Sequence, residues 1–327
     1  MAKPKILVTG GAGFIGSALV WALNERGRDD VLVVDYLGQD EKWKNLVPLK
    51  FADYLEADDL LELLEDDYLS EIETVLHLGA CSATTERDAR YLIHNNFEYT
   101  KELALWSLAN DARFVYASSA ATYGDGAHGM DDQLENLHSL RPLNMYGYSK
   151  HMFDCFAQRE GFLDQIVGLK YFNVFGPNED HKGDMRSVVH KAFGQISETG
   201  GVKLFKSYHP DYEDGGQMRD FLYVKDAVTM TLHLAETKAV GGLFNLGSGQ
   251  ANTWVSLVTP IFEALNLPVN IEFIEMPEQL RGKYQYFTQA DTAKLQGSGF
   301  GGCQFSLPEA VKDYVANYLA PDKRLGD

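Results

Sequence analysis

The sequence predicts an α/β protein, a doubly wound parallel sheet carrying a smaller, discontinuous α/β lobe. Three observations predict it. Short apolar runs alternate with segments of helical periodicity through the first half of the chain, a glycine-rich turn separates the first run from the first helix, and the regular alternation gives way to irregular chain beyond Gly176. With 327 residues and 45% hydrophobic content, the chain exceeds one ordinary domain but is short for two independent ones.

The strand candidates are Ile6–Thr9, Val31–Asp35, Val75–Leu78, Phe114–Ala117 and Ile166–Leu169. Between the first two, Ile15, Ala18, Leu19, Ala22 and Leu23 recur at helical spacing, and Gly27 stands where a helix stop belongs. This makes a β-α-β unit. Further on, Tyr208–Gln217 reads as a long polar loop, after which Phe221–Val224 and Phe244–Gly247 resume strand-like character. The chain is expected to leave the main sheet, build part of a second lobe and return. No internal repeat is visible.

The net charge of −18 would repel nucleic-acid phosphates and an anionic membrane surface, so an anionic ligand must be received by backbone amides, helix N-termini and a few placed cations. Cys81, Cys155 and Cys303 are odd in number, far apart and without metal-ligand spacing. A reduced, cytoplasmic setting is expected, and no metal site. Met1–Lys5 and the apolar run after it resemble a leader, but Gly10, Gly11, Gly13 and Gly16 interrupt that run, and no stretch of eighteen apolar residues could span a bilayer.

Thr9-Gly-Gly-Ala-Gly-Phe-Ile-Gly16 follows a strand and opens a helix, the context that a dinucleotide fingerprint requires. Missing side chains let the turn be tight and bring a pyrophosphate to the helix N-terminus. Asp35, ending the second strand, is where a carboxylate accepts a ribose hydroxyl, which alone suggests NAD. Lys42 and Lys44 follow closely, and either could neutralise the extra phosphate of NADP or be a solvated surface lysine. Asp53 is placed to meet the adenine edge or to serve a turn. A Rossmann-like cofactor domain is therefore expected over residues 1–171 with 220–247, and a substrate lobe over 172–219 with 248–327.

Tyr146-Gly-Tyr-Ser-Lys150 places a phenol and an ammonium on one helix face at i, i+4. A phenolate at neutral pH needs its pKa lowered by an amount worth roughly 4 kcal/mol, a task assigned to Lys150 and a cationic nicotinamide ring. Ser119, at the end of the Phe114 strand, would hydrogen-bond the reacting oxygen of a substrate.

The stretches Thr9 to Gly16, Ala117-Ser-Ser-Ala-Ala-Thr-Tyr-Gly124 and Tyr146 to Lys150 resemble the extended short-chain dehydrogenase/reductases over nearly the whole chain. Dehydratases of that superfamily carry Asp-Glu where this sequence has Ala120-Ala121, which argues against water elimination. A finer resemblance is to the ADP-L-glycero-D-manno-heptose 6-epimerase family, carried by His77-Leu-Gly-Ala-Cys-Ser-Ala-Thr-Thr-Glu86, Tyr171-Phe-Asn-Val-Phe-Gly-Pro177, His181-Lys-Gly183 and Tyr284-Gln-Tyr-Phe-Thr-Gln-Ala290. That resemblance implies retained NADP, a homo-oligomer, often a pentamer, and a second acid/base at Lys182 beside Tyr146, Lys150 and Ser119. Without it, a phosphate-binding or surface role for Lys182 would be preferred. It further implies cofactor contacts at Gly10, Gly13, Phe14, Ile15, Gly16, Asp35, Tyr36, Lys42, Asp53, Leu78, Gly79, Ala80, Asn95, Lys150 and Val174. The substrate contacts it implies are Ser119, Asn173, Asp184, Lys191, Phe205, Lys206, Ser207, Arg219 and Tyr284. The chain departs from the family at Leu78, where some members have Glu, at Ala57, where a lysine can approach the cofactor, and at Asp184, where a serine can face the substrate. His77 and His181 are expected to satisfy structural hydrogen bonds, and the aromatic residues to pack core and lobe.

Overall fold

The computed structural model describes residues 3–64, 66–133, 135–281 and 284–327. Met1 and Ala2, where the leader-like opening begins, lie outside the described residues. Seven strands form the main sheet: β1 (Ile6–Thr9), β2 (Val31–Asp35), β3 (Asp53–Glu56), β4 (Thr74–His77), β5 (Arg113–Ser119), β6 (Val167–Tyr171) and, entering later in the chain, Gly242–Leu246. Three shorter strands, β7 (Asn173–Phe175), β8 (Val202–Phe205) and β9 (Met218–Tyr223), precede that late entrant, which is β10. Beyond it lie β11 (Ala251–Thr253) and β12 (Ile271–Ile274).

The main sheet runs β10-β6-β5-β4-β1-β2-β3 with every neighbouring pair parallel. Its inner strands are buried on both faces, which is why they read as continuous apolar runs. Ile6 and Val8 enter one core cluster with helices Phe14–Glu25 and Val224–Glu236, while Leu7 faces the other with helices Tyr99–Ala109 and Met145–Arg159. Burial of each such Val or Leu contributes about 1.5–3 kcal/mol. The Phe221 run does not enter this sheet; β9 is the centre of a three-stranded sheet, β11-β9-β7, and β8 pairs with β12 in parallel. No helix among the described residues is long and apolar enough to cross a membrane.

Asp132 is an acid held inside this frame, its Oδ2 accepting the Asn245 amide of β10 at 2.7 Å. Burial pushes its carboxyl from the ordinary 3.8 up to about 6, against the pull of the Asn245 amide and Lys294. The folded state therefore binds a proton that the unfolded chain has released, so stability falls as pH rises between those two values and stays lower above them. Asp132→Asn keeps the acceptor and removes the charge, and is expected to raise unfolding free energy at pH 8 by about 2 kcal/mol while leaving it unchanged at pH 3. Urea denaturation at the two pH values checks this; a less stable variant at pH 8 contradicts it.

Candidate active site

Strand order reverses between β1 and β4, and at such a switch point the turns beyond adjacent strand ends part to leave a ligand crevice. Gly10 sits there with φ +66°, where a Cβ would lie 2.7 Å from the Gly79 nitrogen, so the two turns meet backbone to backbone. At Gly16 a Cβ would lie 2.0 Å from the Gly10 carbonyl oxygen, inside any allowed contact. Gly13 is the N-cap of helix Phe14–Glu25 and no side chain caps the amides of Phe14, Ile15 and Gly16. This is a cradle for a pyrophosphate.

Asp35 is more fully engaged by the chain than its sequence position suggests. Its Oδ2 accepts from the Ala12 and Gly13 amides at 2.9 and 3.1 Å, and its Oδ1 from the Tyr36 amide at 2.7 Å and Lys42 Nζ at 3.2 Å. Of the two candidate lysines, Lys42 thus stands at the carboxylate, whereas Lys44 pairs with Glu41 in solvent. Tyr36 is exposed and donates to Asp58. Asp53 opens edge strand β3, and its carboxylate accepts from Tyr68 at 2.7 Å and from the Tyr54 amide, so a simple turn role is corrected to a strand end tied to Tyr68.

Beyond β4, Leu78, Gly79 and Ala80 are half-buried along the crevice. His77 is fully buried beneath them and bonds Thr9 Oγ1 at 2.6 Å and Thr100 Oγ1 at 2.8 Å. Thr100 gives its own proton to the Asn96 carbonyl, so it accepts from His77 Nε2–H, and Nδ1 accepts from Thr9, which in turn receives the Gly79 amide. Burial holds the imidazole well below its usual range, keeping it neutral, and every polar atom is satisfied. The histidine is a strut for the Gly79 turn.

The helix carrying the next contacts contains a π-turn, Ile93–Glu98. One extra residue per turn shifts the inward face. Asn95 accordingly turns outward and donates to the Tyr91 carbonyl at 2.9 Å, while buried Asn96 accepts from the Cys81 amide and donates to the Cys81 carbonyl and Ser149 Oγ. Asn96 is the buried member of the pair, a placement that helical counting from sequence has no means of seeing because of the added residue.

Tyr146 and Lys150 lie one turn apart on helix Met145–Arg159, whose N-cap Asn144 accepts from the Gly147 amide at 2.8 Å. Ser119 ends β5; its Oγ accepts from the Ala121 amide at 3.1 Å, which leaves its own proton available to donate. Burial raises the Tyr146 phenol, with the Ser119 hydrogen bond acting the other way and Cys81 adding to the rise. The lowering expected of Lys150 together with a cationic nicotinamide ring does not arise in the protein alone, where burial dominates. Lys150 is itself pushed down to about 8 by burial, against the pull of Asp154 and Cys81. A catalytic group near neutrality is the pattern acid/base work favours.

Lys182 comes from a different element, the 3-10 turn Asp180–Met185, and its Nζ lies 5.0 Å above the ring of Phe14 at the glycine-rich turn. Burial lowers its pKa, with Glu179 opposing. Its neighbour His181 approaches Asn45 Nδ2 at 3.4 Å. The turn is anchored through Asn178, whose side chain donates to Ser17 and accepts the Leu325 amide.

An open cleft of about 1840 Å³ is lined by Thr84–Arg87, Asn144, Met145, Tyr284 and Tyr286 among others. Arg219 is buried beside Tyr284, its guanidinium 5.3 Å from that ring and 5.8 Å from Trp254, whose indole N–H donates to the Tyr284 hydroxyl at 2.9 Å. Asn173 and Val174 open β7. Phe205 ends β8, followed by Lys206, paired with Glu275, and Ser207, whose amide bonds Asp214. Lys191 donates to the Asp184 carbonyl, and both side chains are exposed. The structure therefore brings Arg219 and Tyr284 together, with Tyr284 lining the cleft; Arg219, Asn173, Asp184, Lys191, Phe205, Lys206 and Ser207 do not line it, nor do Ser119, Tyr146, Lys150 and Lys182. His209, Tyr286 and Phe287 do, so part of the aromatic set faces the cleft rather than packing the lobe.

The sequence profile of the NAD dependent epimerase/dehydratase family matches residues 6–247. The chain belongs to that family. Among its members, the ADP-L-glycero-D-manno-heptose-6-epimerase of Nitratidesulfovibrio vulgaris is 54% identical over 315 residues, covering 96% of this chain and 98% of the relative. The enzyme of the same name from Fusobacterium nucleatum is 47% identical, covering 97% and 98%. Among solved members, the Helicobacter pylori ADP-L-glycero-D-manno-heptose-6-epimerase superposes with a TM-score of 0.77 at 26% identity over 96% of both chains. A UDP-glucose 4-epimerase of Thermotoga maritima gives 0.76 at 26%, covering 97% and 99%. The named epimerases among these relatives are isomerases, and the family is one of enzymes that use a nicotinamide cofactor.

Proposed function

We propose that the protein inverts C6 of ADP-D-glycero-D-manno-heptose to give ADP-L-glycero-D-manno-heptose through a transient ketone. The observation that carries this reading is a partly buried lysine, Lys182, held over the glycine-rich turn on an element separate from Lys150. A secondary alcohol carbon does not invert by proton exchange, since its C–H bond is not acidic until a carbonyl stands beside it. When bound, NADP supplies a hydride acceptor and donor and, oxidised, a cationic ring near the phenol. Ser119 donates to the reacting oxygen, and Tyr146 and Lys182 take or return its proton, one for each stereoisomer. Lys150 orients the cofactor ribose and favours the phenolate. Arg219, with Tyr284 beside it, receives the diphosphate. Lys42 at Asp35 supports NADP over NAD, since it puts a cation beside the ribose position.

Three unpaired cysteines suit a reducing cytoplasm, and a homo-oligomer remains what the sequence resemblance implies. The test is direct: pure protein is incubated separately with each ADP-heptose epimer and with UDP-glucose, and products are followed by NMR. Interconversion of the two heptose epimers and no change in UDP-glucose is expected; turnover of UDP-glucose with none of ADP-heptose overturns the assignment.

A further inference from the structure

One turn beyond Lys150 on the same helix, Asp154 is fully buried, and so is Lys170 of β6, its ion-pair partner at 2.9 Å. Both carboxylate oxygens are engaged: Oδ1 accepts from Tyr116 at 2.8 Å, and Oδ2 from Ser118 at 2.8 Å and from Lys170. Lys170 also donates to Thr122 Oγ1 at 2.6 Å and faces the Tyr123 ring at 4.7 Å. Thr122 passes its proton to the Ser119 carbonyl at 2.8 Å. A chain of hydrogen bonds thus runs from the helix of Tyr146 and Lys150 through Asp154 and Lys170 to the backbone of Ser119, with a second branch through Ser118.

Stability does not explain the pair. Two charges removed wholly from water gain little or nothing over well-packed apolar side chains of the same volume. What such a pair supplies is geometry, because each partner has one arrangement in which its bonds are all made. The elements so joined are the two that must hold Ser119 Oγ and the Tyr146 oxygen around one reacting atom.

We propose that Asp154 and Lys170 are positioning residues of the active site, fixing Ser119 against Tyr146 and Lys150 through Thr122 and Ser118. This rests on the assignment of Ser119, Tyr146 and Lys150 to the chemistry. Asp154 acts on Lys150 in a second way, since its negative charge favours the ammonium. The other groups facing Lys150 are Cys81 from the turn after β4, which acts in the same sense, and His77 of β4, which is neutral. Removing Asp154 therefore lowers the Lys150 pKa below its present value of about 8, and a rate that needs the ammonium is lost at lower pH than in the wild type.

Asp154→Asn alone strands a buried ammonium and can fail to fold. The informative variant is the double substitution Asp154→Leu with Lys170→Met, which removes both charges and keeps apolar volume. It is expected to fold with a melting temperature near that of the wild type and to keep KM, while kcat falls roughly 10²-fold, the usual cost of a misplacement near 1 Å. The alkaline limb of its kcat–pH profile moves to lower pH. Thr122→Val, which removes the hydroxyl joining Lys170 to the Ser119 carbonyl but leaves the Asp154–Lys170 pair in place, lowers kcat about 10-fold without moving that limb, and Thr122→Ser restores it. A folded double variant with wild-type kcat and an unmoved alkaline limb overturns the proposal. A drop in melting temperature alone, with normal kcat per folded enzyme, also overturns it by showing a purely structural pair. If the wild-type protein fails to interconvert ADP-heptoses, the functional assignment fails first and is recognised separately.

Discussion

Tyr146→Phe and Lys182→Met each slow epimerisation about 10² to 10⁴-fold, the usual contribution of a positioned acid/base, while folding and cofactor retention persist. Tyr146 is influenced by the Ser119 hydroxyl and Lys182 stands over Phe14, so neither substitution removes a link of the core. Burial lowers the Lys182 pKa, which enlarges the neutral fraction able to accept a proton. If the two act in one relay, the double variant is little worse than the poorer single one, since groups working as a unit are not additive. Rates measured from each pure epimer check this. Near wild-type turnover by Lys182→Met in both directions would leave Tyr146 as the sole base.

Gly16→Ala is expected to abolish retention of the cofactor. A methyl 2.0 Å from the Gly10 carbonyl oxygen cannot be accommodated without moving the glycine-rich turn away from the Gly79 turn that it abuts. Protein purified without added nucleotide should release NADP(H) on denaturation, because a cycle with no net redox change gives no reason to let it go. The variant should release none and turn over at most at about one hundredth of the wild-type rate, as expected when the reacting groups are no longer held together. Full occupancy of Gly16→Ala would show that the crevice is not where the dinucleotide lies. Release of NAD in place of NADP from the wild type would remove the role given to Lys42.

The five inner strands were legible because parallel strands buried on both faces read as near-continuous apolar runs. β3 was not, since Asp53-Tyr-Leu-Glu56 lies on the sheet edge with its end residues exposed. β7 and β11 have three residues each, too few to show a period, and the strand beginning near Phe221 was legible without the information that it joins a separate sheet. At the site, the glycine turn, Asp35 and the Tyr146–Lys150 pair were readable because their geometry is local in sequence. Asn96 and the Asp154–Lys170 pair were not. The first depends on a π-turn that displaces helical counting by one, and the second joins a helix to a strand with no period linking their positions. Tyr146 illustrates a different limit, since spacing to Lys150 suggested a lowered phenol where burial raises it.

The central claim, inversion at C6 by transient oxidation, is tested most directly with ADP-D-glycero-D-manno-heptose carrying deuterium at C6, incubated with the purified enzyme in ordinary water. The account predicts the L-glycero epimer with deuterium still at C6, because the hydrogen leaves and returns as hydride inside the closed site and never meets solvent. Product carrying solvent hydrogen at C6 would contradict it, as would recovery of the D-glycero compound unchanged.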